Sequence, residues 1–242
     1  MNSMQLVKFD VLSILKSPLT YIAIVLGTAP AVGITMIMVA QDIDVEAYVI
    51  LSVLKWFFSI IGMLFVVKTI TRDSGQGTIQ LYLNSVRNRL SYLIAKTVSI
   101  VFISLIVTGV VLLVTYLVQW SINGMGLKTS VTWQLFIFYL MLFLIYGLLL
   151  FLINLFVQKS SLVFSLGILL LLVYPIVTPF IPFIPQIGEK IMEALGYIPI
   201  GYLTEKTLSD DITFTNVQWL INIASLAVLM IGNALLITKK DI

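Results

Sequence analysis

Cysteine and histidine are both missing from the 242 residues. Without cysteine there is no disulfide framework and no thiolate to hold a metal. Without histidine the usual general base, the usual proton relay near neutral pH and the commonest metal ligand are gone. No His-Glu-x-x-His run exists for a zinc protease, and no Gly-x-Ser-x-Gly elbow for a serine hydrolase. A Ser-Lys pair would have to use Lys55, the one lysine inside an apolar stretch. Gly75-Gln76-Gly77 is followed by Thr78 and makes no dinucleotide fingerprint. There is no Gly-x4-Gly-Lys-Ser/Thr loop, so the chain cannot hold ATP in that way. Charge is scarce too: 10% of residues are charged, against 60% hydrophobic. We therefore expect a non-catalytic chain with no metal or cofactor of its own.

What is present is long apolar runs. A soluble domain of this size cannot hide so much apolar surface, so lipid must cover the rest. A spanning helix needs about 20 apolar residues. Six stretches qualify, near 19–40, 49–68, 97–118, 133–157, 162–184 and 217–238. The expected fold is an all-α, single-domain membrane protein over 1–242, with six transmembrane helices behind an N-terminal amphipathic interfacial helix. The apolar run after Lys16 continues past Ala29-Pro30-Ala31 to Ala40, too long for a signal-peptide core, so it is expected to be retained as the first span.

Orientation follows from the bases. With both termini inside, the inner segments hold Lys8, Lys16, Lys68, Arg72, Arg87, Arg89, Lys96, Lys159, Lys239 and Lys240 against Asp10, Asp73 and Asp241. The outer segments hold Lys128, Lys190 and Lys206 against Asp42, Asp44, Glu46, Glu189, Glu193, Glu205, Asp210 and Asp211. The opposite topology would reverse the positive-inside rule at nearly every loop. The expectation is N-in, C-in, in the cell membrane. The net charge of +3 reflects this asymmetry, and nucleic acid is not an expected partner.

Two segments outside the spans carry helical stripes. In 4–17, Met4, Val7, Val11, Leu12, Ile14 and Leu15 share one face, with Gln5, Asp10, Ser13, Lys16 and Ser17 opposite. Such a helix lies in the bilayer interface, and Ser17-Pro18 turns the chain into the first span. Within the 69–96 loop, Asp73-Ser74-Gly75 and Gly77 break the descending helix, and Thr78 can cap a new one. Ile79, Tyr82, Leu83, Val86, Leu90, Leu93 and Ile94 then form a stripe running straight into the third span. A short amphipathic helix here can rest on the membrane or put its anchors into a groove of another protein. Arg87, Arg89 and Lys96 suit anionic headgroups and acidic side chains equally.

These residues resemble the membrane-spanning subunit of ABC-2 type transporters, in the small Gram-positive type of peptide and antibiotic exporter. That family shows an acid, then Gly-Thr, then Arg, then Lys across the loop between the second and third spans. Here they are Asp73, Gly77-Thr78, Arg89 and Lys96. The acid is often Glu in the family, and many members carry a Pro before the Arg where this chain has Asn84, Ser85 and Val86. The resemblance covers the whole chain. It implies two permease subunits paired with two copies of a separate ATPase that binds ATP and Mg. Residues 73–92 would be the cytoplasmic coupling region, with Asp73, Gly77, Thr78, Ile79, Tyr82, Leu83, Val86, Arg87, Arg89 and Lys96 as coupling residues. The link Gln158-Lys159-Ser160-Ser161 would be a second, smaller contact.

For the translocation path the candidates are Lys55, Asn154, Pro175 and Pro179. A lysine at mid-bilayer costs roughly 2.5–3.5 kcal/mol. Lys55 beside Trp56 is expected to snorkel outward more readily than to face a cavity. Asn154, Asn222 and Asn233 read first as hydrogen-bonding glue between helices. Gly27 with Ala31, and Ala29 with Gly33, permit close helix approach within the subunit or at a dimer seam. Pro175, Pro179, Pro182 and Pro185 should kink or end the fifth span, and that segment is expected to lie against other helices. In the extracellular loop 185–216, residues 186–198 form a candidate short helix with Ile187, Ile191, Ala194 and Leu195 on one face. The expected cargo is an amphipathic or antimicrobial peptide. The alternatives are a free-standing channel or secondary carrier, or an exporter of sodium or of a lipid-like or drug substrate.

Overall fold

The computed structural model describes residues 3–82, 84–122, 127–157 and 159–239; at Ile79, Leu81, Pro175 and Pro179 it describes the backbone alone. Among these residues the chain is helical, without strands. The helices are α1 (Ser3–Leu15), α2 (Pro18–Ala40), α3 (Ala47–Gly75), α4 (Ile79–Tyr82), α5 (Val86–Ser121), α6 (Thr129–Val157), α7 (Ser160–Val177), α8 (Gly188–Tyr197), α9 (Pro199–Leu208) and α10 (Asn216–Lys239). A 3-10 helix, Thr178–Phe183, follows α7. Five helices, α2, α3, α5, α6 and α10, are long and apolar enough to cross a membrane, as in a multi-pass membrane protein. The stretch expected at 162–184 is a shorter apolar helix of 18 residues, about 27 Å at 1.5 Å per residue. Its prolines explain the end: past Val177 the chain tightens into the 3-10 helix, with Pro182 inside it.

Helices α3 and α6 form the centre. In their most apolar windows 56% and 61% of residues are buried, against 17% in α2 and in α10, which lie at the periphery. Where α3 and α6 cross, the Phe143 ring fills the space a Cβ at Gly62 would need. Gly27 does the same for α2, packing on Phe58 and Ile61 of α3, with Ala31 buried one turn on. That small pair therefore serves packing within the subunit, while Gly33 faces open space.

Helix α1 is rotated from its expected setting. Its buried stripe is Leu6, Val7, Asp10 and Ile14, while Met4 is 69% exposed. The apolar count alone favours the other face. The carboxylate of Asp10 decides the matter, because α1 packs where two cations of α3 and α5 need a counter-charge.

Hydrogen bonds order the two ends of the bundle. Ser160 at the start of α7 donates to Thr71 O near the end of α3 (3.2 Å). Asn154 near the end of α6 donates to Ser74 Oγ (2.9 Å). These contacts, with α1, α4 and the start of α5, mark a basic end. At the other end Ser52 donates to Asp210 Oδ1 (2.6 Å), Lys55 Nζ to Ser209 O, and Gln119 near the end of α5 to Val45 O (3.3 Å). This is the acidic end. Between Ser160 and Ser209 the chain thus travels from one end of α3 to the other.

Helix α9 was not anticipated. Tyr139 donates to Lys55 O (3.1 Å), and Tyr146, seven residues on, donates to Ile200 O (3.1 Å) and meets the Thr204 hydroxyl. Seven helical residues span about 10 Å, so α9 dips that far into the bundle from the acidic end. Gly201, Tyr202, Leu203, Thr204 and Thr207 are buried there. By contrast Ile187, in the candidate short helix 186–198, is 52% exposed and precedes the first residue of α8. The proline segment is also less covered than expected, with Ile176, Phe180 and Phe183 all exposed. Pro179 and Pro182 have no N–H to donate, so the carbonyls they would bond within the 3-10 helix must find partners outside it, as an exposed segment allows.

Candidate functional site

The densest polar site is a four-charge cluster at the basic end, built by three helices. Asp10 of α1 is fully buried. It lies 2.7 Å from Arg72 Nη2 of α3, and Lys96 Nζ of α5 donates to its two oxygens at 3.1 and 3.2 Å. Ser99 adds a hydroxyl donor at 2.9 Å. Asp73 accepts from Arg72 Nε and Nη2 (3.1 and 3.0 Å), pairs with Lys96 Nζ at 2.7 Å, and accepts from Tyr92 OH at 2.8 Å. Lys96 also donates to Thr69 O (2.8 Å). The Arg72 guanidinium lies over the Phe9 ring, 4.5 Å from its centroid. Two acids and two bases cancel, and each acid carries several donors. This is the condition under which charges can be taken out of water.

Above this cluster the chain turns. Gly77 adopts φ +68°, Thr78 N donates to Asp73 O (3.0 Å) and Gly77 N to Ser74 O (3.2 Å). That pair of bonds is the Schellman end of a helix, and the left-handed residue is where glycine is favoured. Helix α3 therefore runs through Asp73-Ser74-Gly75 and stops at Gly77. Thr78 turns its hydroxyl back to Asp73 O (3.4 Å).

The expected continuous helix from 79 into the third span is broken. Helix α4 is a single turn, and α5 starts afresh at Val86. Ser85, in extended backbone at φ −149°, accepts from Asn88 N (3.4 Å) and is the N-cap of α5. Asn88 Nδ2 donates to Asn84 Oδ1 (2.6 Å). These short polar side chains offer the backbone a local alternative to helix, and that stops the stripe.

The sequence-derived coupling residues thus divide. Asp73 and Lys96 are buried in the cluster. Tyr82 stacks on Tyr92 (5.6 Å between centroids), tying α4 to the same cluster. Arg89 donates to Ile237 O and Thr238 O (3.3 and 2.9 Å), holding the last turn of α10. Gly77, Val86, Arg87 and Leu90 are exposed. Leu83 and Gln158 lie outside the described residues, as do the side chain of Ile79 and the Lys240-Asp241-Ile242 end.

The path candidates are not brought together. Lys55 is at the acidic end and Asn154 at the basic end, beside Ser74. Pro175 lies near the end of α7 and Pro179 near the start of the 3-10 helix, with side chains outside the described set. Lys55 does not snorkel into lipid; it is 1% exposed and donates to Ser209 O beneath α9. Asp211 nearby accepts from the Thr213 hydroxyl (2.6 Å) and backbone N–H (2.8 Å), which hold its carboxyl below the usual value. The three asparagines do join helices: Asn154 to α3, Asn222 to Tyr202 of α9 (2.6 Å), and Asn233 to Leu148 O of α6 (2.9 Å).

Asp10, Arg72, Tyr92 and Ser99 were missed as site residues. The signal for Asp10 was available, since it is the only acid in a 13-residue helix that packs with bases nearby. Over residues 12–242 the chain matches the family described as "Protein of unknown function (DUF2705)", and it belongs to that family. No curated protein matches the sequence.

Proposed function

We propose that this member of DUF2705 is the non-catalytic permease subunit of an ATP-driven exporter, paired with a second permease copy and with a separate ATPase that binds ATP and Mg. One observation carries the reading. Val86 (57% exposed), Arg87 and Leu90 (38%) stand uncovered at the start of α5, directly above a buried, charge-balanced joint between α1, α3 and α5. Apolar anchors with a base beside them suit a groove on another protein. The joint beneath would pass a push on them into the spans.

In this reading the chain crosses six times with both termini inside, in the cell membrane. The route from Ser160 to Ser209, from one end of α3 to the other, supports α7 and its 3-10 extension as the additional crossing. The bases at the Asp73 end support that end as cytoplasmic. A secondary carrier is less well supported. The buried acids among the described residues, Asp10 and Asp73, are both paired with bases at one end of the bundle, away from the middle of the spans. The aliphatic and aromatic composition of the spans favours an amphipathic peptide as cargo.

The test is co-purification with a co-expressed Walker-motif ATPase. Arg89 already holds α10, so the informative variant is Val86→Asp with Arg87→Glu. Loss of ATPase retention, with the permease still monodisperse, is the expected outcome. Retention at wild-type level would overturn the docking role.

A further inference from the structure

We propose that α1 binds anionic phospholipid headgroups through Lys8 and Lys16. The location comes from the chain itself. Lys16 lies two residues before Pro18, where α2 begins, and Thr20 Oγ1 donates to Ile14 O (2.7 Å), fastening the end of α1 to the first turn of α2. Helix α2 is apolar and uncovered from that first turn, with Leu19 72% exposed and Tyr21 and Ile22 following. A helix joined to a span in this way lies where acyl chains give way to phosphates.

The charge on its outer face is of one sign. The single acid of α1, Asp10, is turned inward and neutralised by Arg72 and Lys96. Lys8 and Lys16 remain, both exposed, and among the described residues neither makes an ion pair. Met4 and Phe9 (58% exposed) supply apolar contact on the same surface. Were Asp10 outward it would offset one of the two lysines; its burial leaves the face purely cationic. Bases flanked by apolar side chains at a membrane surface are attracted to anionic lipid. The surface is also continuous with the lipid-facing flank of α2, which favours lipid over a protein as its occupant.

The experiment uses the full chain. Because it has no cysteine, Leu19→Cys, in the exposed first turn of α2 beside the end of α1, gives a unique thiol for a fluorophore. The labelled protein is reconstituted with acyl-brominated phosphatidylglycerol or phosphatidylcholine at equal mole fraction, and quenching gives the relative binding of the two lipids at α1. The expected result is a preference for phosphatidylglycerol that falls about fivefold for each of Lys8→Gln and Lys16→Gln. It should shrink in high salt, survive Lys8→Arg with Lys16→Arg, and ignore Lys190→Gln at the acidic end. Equal quenching by the two lipids, a preference that survives the double glutamine variant, or a label shielded from both lipids by a protein surface would each overturn the proposal. No ATPase enters the measurement, so it stands or falls apart from the exporter reading.

Discussion

Two lysines are buried among the described residues, one at each end of the bundle, and their surroundings differ in kind. Lys96 lies between two carboxylates, a backbone carbonyl and the Tyr92 ring, inside a cluster whose charges cancel. Lys55 is held by the carbonyl of Ser209, while the nearest acid, Asp210, is engaged by the Ser52 hydroxyl and makes no ion pair with it. The basic end is a closed electrostatic joint from which no member can be removed cheaply. The acidic end is a contact between α3 and the inserted α9 in which the buried lysine is held by a carbonyl instead of a counter-charge.

The largest effect expected from that contrast is at the joint. Asp73→Ala leaves Lys96 and Arg72 short of a counter-charge in the interior and should destabilise by about 3–5 kcal/mol, read as unfolding in detergent. Lys96→Met should cost a similar amount, and combining Asp73→Asn with Lys96→Met should recover part of it. Additive losses would mean that the four groups do not act as one cluster. Next is Gly77→Ala, which must hold a Cβ at positive φ and should cost about 1–2 kcal/mol, with Asn tolerated better. Ser85→Ala removes the N-cap of α5 and should cost about 1 kcal/mol, with faster amide exchange confined to the first turn after 85. Smallest is Lys55→Met, which loses one bond to a carbonyl but also relieves a buried charge, for a net change of about 1 kcal/mol or less. A Lys55→Met penalty equal to that of Lys96→Met would erase the difference between the two ends.

Much of the helical layout is legible in the sequence because apolar length and base placement act over whole segments. The boundaries expected near 19–40, 133–157 and 217–238 fall within a few residues of α2, α6 and α10. What failed was what a few polar side chains decide. A lone carboxylate rotated α1 against its apolar stripe. An Asn84-Ser85 pair divided a stripe of good period into one turn and a new helix. Helix α9 escaped notice because Tyr202, Thr204 and Thr207 read as a polar loop, and become interior only once Asn222 and Tyr146 are beside them. Asp73 and Lys96 were singled out in the right region, but 23 residues of separation conceal that they touch.

Helix α5 is unbroken for 36 residues and pinned at Lys96, well off its midpoint. From that pin to Val86 is about 15 Å, and to Ser121 about 38 Å, at 1.5 Å per residue. If the rod tilts about that fulcrum, its far tip sweeps about two and a half times the distance moved at Val86. A small displacement at Val86 becomes a large one beside the Val45 segment at the other end of the bundle.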